Sequence, residues 1–316
     1  MFTIAVTNSF NDTVTILPPT CELEGIGEVT FHNNPRLEFD GLDIKRNFDY
    51  HFNFELKGNL LHQELLPNNY FHYPRPKRAT QYIKISNFNK EHSNLDSQIF
   101  IPRFYLATAR SGEHLAITDF GLPTCDKVVI KRTRGARGSN QLVVPTNMLT
   151  TLLKHTQGLT LGEVKQKFPD LIYSDGSSYD EVWFEHPSDI FISELITGVT
   201  NEWRLLVGGG NIYARERSIK VGPYNQANLD LDLFHNVPEV KYLPIEDMFD
   251  VKLVETLHKL IEYIDLPIGS LDLFKTEDGK VGIFEFSTQY AFHAADPHFV
   301  RKLVLDGIGS VINKHR

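Results

Sequence analysis

Cysteine is nearly absent from this chain of 316 residues: Cys21 and Cys125 are the only two, and neither stands in a CxxC or His/Cys spacing. A disulfide scaffold and a zinc ribbon are thereby excluded, and the reduced thiols of a cytosolic protein are expected. Long apolar runs are missing as well. None approaches the ~18 residues that a membrane-spanning helix needs, and the start, MFTIAVTNSFND, lacks the charged-then-apolar order of a signal peptide. The expected location is the cytoplasm, with no membrane as partner. Basic surplus is also lacking: 40 Asp and Glu against 32 Lys and Arg leave a formal charge of −8, which argues against nucleic acid. There is no Walker GxxxxGK[ST] loop, Rossmann glycine fingerprint, internal repeat or low-complexity segment. A chain 41% hydrophobic and 23% charged still has the means for a sizeable core in two or three subdomains.

The stretch with the clearest chemistry is Ile268 to Ser287, IGSLDLFKTEDGKVGIFEFS, two strand patterns around a tight Asp278-Gly279 turn. A two-residue turn sets Glu277 against Lys280, Phe274 against Ile283 and Asp272 against Glu285, with Leu271, Leu273, Phe284 and Phe286 on the core-facing side. Directly opposed side chains have Cβ atoms roughly 4.5–5.5 Å apart, and like charges there repel unless something positive lies between them. A hard cation such as Mg²⁺ would serve, because it takes one or two carboxylates and fills its other positions with phosphate oxygens and water. An exposed acidic pair that keeps the hairpin soluble is the plainer alternative. On this reading, neutralising one of the two acids relieves a repulsion and leaves the free protein as stable or slightly more so.

Upstream, Lys127 to Ile130 alternates as a buried strand ending in Lys131, a strand-end lysine with little packing to lose. RTRGARGSNQ follows, and Leu142 to Val144 returns as a strand. Gly135 and Gly138 let the backbone approach an anion, and Lys131, Arg132, Arg134 and Arg137 add positive charge; a triphosphate would suit such a loop, and so would plain solvent around a hairpin tip. In Asp189 to Ile196, DIFISELI, the positions Ile190, Ile192, Glu194 and Ile196 share a face. Glu194 there either meets a ligand or marks the strand's exposed end. Glu202 to Arg217, EWRLLVGGGNIYARER, reads as two strands around Gly208-Gly209, pairing Arg204 with Tyr213 and Glu202 with Arg215. One face then carries Glu202, Arg204, Tyr213, Arg215 and Arg217, and the other Trp203, Leu205, Val207, Ile212 and Ala214. Converging arginines suit phosphate or carboxylate recognition, with a salt-bridged, solvated face as the alternative.

Elsewhere the signals are coarser. Met1 to Ile85 shows short β-like runs (FTIAV, TVTIL, EVTFH, YHFNFEL), and Tyr70 to Arg78 reads as an extended linker stiffened by Pro74 and Pro76. A boundary near 80–90 and a short helix after it are expected. Helical patterns cover Thr146 to His155, Thr160 to Phe168 with a Thr160/Glu163 capping box, Val251 to Ile264 with Val251, Val254, Leu257, Ile261 and Ile264 as its stripe, and Phe299 to Ile312.

These pieces, in this order, resemble the ATP-grasp superfamily, nearest in layout to its glutathione-synthetase and ribosomal-protein glutamate-ligase branch, over roughly Asn89 to Ser287. In VVIKRTRGARG, Lys131 stands at the family's lysine before a glycine loop over the phosphates, with Arg134, Gly135 and Gly138 in the loop, which would close as a lid. SELI matches the adenine-binding hinge, so Glu194, Leu195 and Ile196 would hold the base. EWRLLVGGG matches the family's DxRVxVVGG, carrying its arginine onto Arg204, and the later arginine falls near Arg217. Asp272 and Glu285 would be metal ligands, with Ser287 where Asn is usual, and Lys90 in NKEH would be the family's earlier lysine. The resemblance implies an α+β, ATP-grasp fold: two α/β lobes gripping ATP, 86–185 and 186–316, preceded by a β-rich N-terminal substrate domain, 1–85. It implies ATP and Mg²⁺ as cofactors and catalytic roles for Arg204 and Arg217. The implied enzyme is a ligase that phosphorylates a small-molecule or peptide carboxylate and lets an amine attack the acyl phosphate. A kinase that stops at a phosphorylated product and a nucleotide-binding module without catalysis are the alternatives; the sequence leaves room for a homo-oligomer.

Overall fold

Three five-stranded sheets organise the chain in a computed structural model that describes residues 2–7, 17–33, 49–53, 70–73, 76–105, 107–108, 116–117, 125–132, 141–173, 179–186, 189–217, 241–288 and 296–316. For a few of these, Arg217 among them, the backbone alone is described. The first sheet holds β1 (Phe2–Thr7), β2 (Thr20–Leu23), β3 (Gly27–Asn33), β4 (Tyr50–Asn53) and β5 (Tyr70–His72) in the order β2-β3-β1-β4-β5. All neighbours are parallel except β2 and β3. Consecutive Ile4, Ala5 and Val6 are all buried, as a parallel strand covered on both faces requires. Tyr70 to His72, expected as linker, is a strand because Tyr70 packs edge-on to His51 at 4.9 Å and Phe71 against Phe52 at 5.1 Å. The run TVTIL lies largely outside the described residues.

Helix α1 (Arg78–Glu91) starts where the linker was expected to end and crosses the expected 85/86 boundary without a break. The second sheet follows, with β6 (Phe104–Tyr105), a small ribbon of β7 (Ala107–Thr108) and β8 (Ala116–Ile117), then β9 (Lys127–Arg132), β10 (Leu142–Pro145), helices α2 (Leu149–Thr156) and α3 (Leu161–Lys167), β11 (Ile172–Tyr173) and β12 (Ile190–Glu194). Its order is β11-β10-β9-β12-β6, all antiparallel. Val128, Ile130, Leu142 and Val144 pack on Leu149, Leu152, Leu153 and Val164 from the two helices, and the Thr160/Glu163 capping box is formed at the start of α3. Because β12 bonds to β9, the expected boundary at 185/186 cuts this sheet; the lobe runs on to Glu194.

The third sheet is β13 (Val199–Gly208), β14 (Asn211–Arg217), β15 (Leu243–Pro244), then, after α4 (Val251–Tyr263), β16 (Ile268–Thr276) and β17 (Val281–Ser287), in the order β15-β14-β13-β16-β17. One face packs on α4 and α1 through Leu205, Val207, Leu271 and Ile283 against Leu257, Leu260, Ile85 and Phe88. The stripe of α4 is Leu253, Leu257, Leu260 and Ile261, one step around from the expected one, and Val251 is 81% exposed. The last helix, α5 (Pro297–His315), joins the ends of the chain: Val300, Leu303, Val304 and Ile308 share a core with Ile4, Val6 and Val29 of the first sheet and with Leu206 and Ile268 of the third. Among the described residues no helix is long and apolar enough to cross a membrane.

Candidate active site

The site is assembled by strand register. Between β13 and β14 the turn is Gly209-Gly210, with φ of +60° and +86°, the left-handed pair that a two-residue loop of this twist needs. It falls one residue later than expected, so Arg204 faces Arg215 and Glu202 faces Arg217. Every partner moves by two, and every described side chain keeps its expected face. Between β16 and β17 the loop has three residues, Glu277-Asp278-Gly279, closed by Thr276 N–H donating to the Lys280 carbonyl at 3.0 Å. That shifts the pairing by one, so Phe274 faces Gly282 instead of Ile283. A bulge then sets Phe284 between two successive pairs and restores Asp272 opposite Glu285. Ile283 takes the core place expected for Phe284, which instead joins Phe274, Ile196 and Val199.

Since Arg204 of β13 also lies opposite Asp272 of β16, four adjacent strands form one charged row: Arg215, Arg204, Asp272, Glu285. The carboxylates are covered by positive charge that the chain itself supplies. Arg204 donates to Asp272 twice, Nε to Oδ1 at 2.8 Å and Nη2 to Oδ2 at 2.9 Å, the bidentate fork of a strong charge-assisted pair. Burial works to lower the pKa of Arg204, and Asp272 beside it more than reverses this, so the pKa is raised and the guanidinium stays charged. Arg78 Nη2 lies 2.8 Å from Glu285 Oε2. At the other end of the row the Arg215 guanidinium lies over the Tyr242 ring, 5.3 Å from its centroid.

Arg78 is the residue that sequence reasoning missed. It opens α1, and α1 runs along β17, the edge of its sheet. There Gln81 Oε1 accepts a hydrogen bond from Phe286 N–H at 2.9 Å and the Tyr82 hydroxyl donates to the Phe284 carbonyl at 3.4 Å. Side chains thus satisfy backbone groups that an edge strand leaves open. The one available signal was a Pro-Lys-Arg entry to a helix whose buried positions, Arg78, Gln81, Tyr82, Ile85 and Phe88, keep helical spacing although two are polar.

Lys131 reaches the row from the second sheet. It is 4% exposed, not a loose strand end. Removal from water pushes its pKa down, Arg78 pushes the same way, and Glu285 and Glu202 oppose them, leaving it at about 7. The chain crosses from the second sheet to the third as β12 ends: Leu195 N–H donates to the Lys127 carbonyl at 3.2 Å, and the Glu194 carboxylate accepts from the backbone N–H of Arg103 at 3.3 Å. Glu194 therefore sits at a half-exposed strand end, tied to Arg103, and Ile196 lies beyond the strand among Phe274 and Phe284. A cleft of about 550 Å³ lies beside this crossing, lined by Phe100, Pro102, Glu194, Leu195, Ile196 and Lys280 among others.

The structure brings together Lys131, Arg204, Asp272 and Glu285, with the backbone of Arg217 opposite Glu202 and Ser287 opposite Ser270 at the end of β17. It does not bring Lys90, which is exposed in the last turn of α1, twelve residues and so about 18 Å along the helix from Arg78. Arg134, Gly135 and Gly138 lie outside the described residues. Among the described residues no three His, Cys, Asp or Glu side chains could hold a metal by themselves. The donors here are two opposed carboxylates and the Ser287 hydroxyl on the same strand, an all-oxygen set that fits a hard cation sharing its shell with phosphate.

Compared by sequence, the chain matches no protein-family model and no curated protein. Solved structures do resemble it. N5-carboxyaminoimidazole synthetase from Staphylococcus aureus, complexed with ADP, is 10% identical at a TM-score of 0.50, covering 97% of this chain and 77% of that one. The RiPP-associated ATP-grasp ligase of Chryseobacterium gregarium, in complex with ADP and a leader and core peptide, is 11% identical at a TM-score of 0.47 over 100% and 98%. The macrocyclase MdnC of Microcystis aeruginosa, bound with the precursor peptide MdnA, is 11% identical at 0.46 over 99% of both. At such identities the likeness is one of architecture. The fold is ATP-grasp, α+β, with a further sheet before the two lobes.

Proposed function

We propose that this chain is an ATP-dependent ligase that joins a carboxylate to an amine through an acyl phosphate, releasing ADP and phosphate. The observation that supports it is the row Arg215-Arg204-Asp272-Glu285 with Lys131 buried against it. The row offers no side-chain nucleophile; it offers fixed charge on both sides of a place where a polyanion would lie. Lys131 and Arg78 would contact the phosphates, and Glu194 to Ile196 would hold the base through their backbone. Arg204 and Arg217 would stabilise the negative charge that grows on the transferring phosphoryl group, so rate comes from positioning and electrostatics in a dry site. Asp272 and Glu285, with Ser287 beside them, would hold Mg²⁺, which neutralises triphosphate charge when bound. ADP bound by a synthetase of the same fold is in keeping with a nucleotide here. Residues 1–85 would contribute acceptor specificity.

Incubation with ATP, Mg²⁺, a pool of carboxylic acids and a pool of amino acids as the amines, read by mass spectrometry, tests this. ADP and phosphate together with a new amide is the expected result. ADP with a stable phosphorylated acid would make the chain a kinase, and no ADP with any acid would leave a nucleotide-binding module. Asp272→Asn and Glu285→Gln should each abolish turnover.

A further inference from the structure

We propose that in the free protein Arg78 and Arg204 occupy the place of the metal ion, so that the Asp272–Glu285 pair accepts a divalent cation only together with a triphosphate. The inference rests on the metal and nucleotide reading above, and it adds an order of binding. Three observations carry it. Both carboxylates are already in ion pairs at 2.8 Å, one of them bidentate, and in these pairs the guanidinium nitrogens lie against the oxygens that a cation would use. Among the described residues the neighbourhood holds three arginines, Arg78, Arg204 and Arg215, and the amine of Lys131 against three acids, Glu202, Asp272 and Glu285, so a bare dication would enter a place where these groups leave no surplus of negative charge. And two carboxylates are a short donor set for a cation with six positions to fill; no third acid among the described residues completes it.

A triphosphate changes all three terms together. Its oxygens supply the missing donors, its charge reverses the local balance, and it gives the displaced guanidinium groups a new anion that matches their fork. Arg78 stands at the first turn of α1 and Glu285 at an edge strand, so the exchange at that end needs a side-chain swing and no movement of the sheet.

Mn²⁺ as the probe, counted as the excess ion that co-elutes with the protein on gel filtration in buffer equilibrated with Mn²⁺, with or without nucleotide, tests this without any turnover. Wild-type protein with Mn²⁺ alone should bind none across the range in which protein with the ATP analogue AMP-PNP binds one ion. Arg78→Gln, and Arg78→Met as an independent variant, should bind Mn²⁺ without nucleotide about tenfold or more tightly than wild type, since a charge-assisted pair no longer competes. Adding Glu285→Gln to either should erase that gain and so locate it. Mn²⁺ binding to nucleotide-free wild type with an affinity equal to that of the Arg78 variants would overturn the proposal, as would folded Arg78 variants, checked by circular dichroism, that bind none. If the Arg78 variants bind Mn²⁺ alone but AMP-PNP brings no ion to wild type, the guarded carboxylates stand and the nucleotide reading falls.

Discussion

The arginine hairpin β13–β14 and the acidic hairpin β16–β17 solve one problem in two ways. Both must place charge on one face of a sheet whose other face is core. In β13–β14 the two-residue loop slides one position along the glycine run, which moves partners by two and is harmless, because side chains alternate with a period of two. In β16–β17 the three-residue loop moves partners by one, which would send every side chain beyond it to the wrong face, and the bulge at Phe284 cancels the shift just before Glu285. Parity read from sequence is thus robust to even slips and fragile to odd ones, and the charged end of the acidic hairpin is where the correction sits.

The difference extends to how each acid is held, and the largest expected effect comes from breaking it. Asp272 is on an interior strand of its sheet and accepts two hydrogen bonds from Arg204, so Asp272→Asn should destabilise the free protein by about 3 kcal/mol by leaving a buried guanidinium half-paired. The expectation from sequence had the opposite sign, a relieved repulsion, because it counted the two acids and not the two arginines between which they lie. Glu285 is on the edge strand, 2.8 Å from Nη2 of its partner Arg78, and Gln can still accept from that group; Glu285→Gln should cost about 1 kcal/mol. Urea melts of both variants measure the ratio, and equal losses would mean that the row has no centre and no rim.

The two loops can be separated next. An alanine Cβ at Gly209 would lie 2.6 Å from the backbone carbonyl of Asp306 in α5, besides needing φ of +60°, whereas at Gly279, at φ +82°, nothing lies within 4 Å. Gly209→Ala should cost about 2 kcal/mol or more and Gly279→Ala about 1 kcal/mol, the left-handed strain alone. Matching losses would show that α5 yields to the turn and that strain, not packing, sets both.

How much of this was legible depends on who holds each residue. Asp272 and Arg204 could be placed on their face because a strand's parity fixes it without knowledge of the partner, and Glu285 falls where expected because the bulge restores the parity that the longer loop disturbs. Arg78 could not, since it enters from an element that recognises a strand edge through polar side chains; Gln81 and Tyr82 spend their buried positions on backbone groups of β17, and so α1 lacks the apolar stripe that marks a helix. Lys90 was assigned by its place in a motif, and helix geometry carries it to the far end. The expected domain limits do not follow the sheets for a related reason: β12 pairs with, and α5 packs on, a sheet that lies elsewhere in the sequence, and a composition shift does not report a hydrogen-bonded or packed partner.

Lys131 offers an effect that is small at each pH step, and it is the residue that links both sheets. Its stem is buried and its pKa sits near 7 against an ordinary value of about 10.4, so between these two values the unfolded chain binds a proton that the folded chain does not. Stability must then rise with pH across this window, and the penalty for burying the ammonium is greatest below about 7. Lys131→Met keeps the stem and removes the charge, so the variant should be more stable than wild type at pH 7, and its advantage should shrink by on the order of 1 kcal/mol for each pH unit from 7.5 upward. Taking the difference between the two proteins at each pH cancels every other titrating group. A constant difference from pH 7 to 9.5 would show that Lys131 keeps its proton in the fold. That result would move its partner carboxylates, Glu285 and Glu202, from weak opponents of burial to full counter-ions, and would place more of the row's negative charge on the second sheet's side of the site.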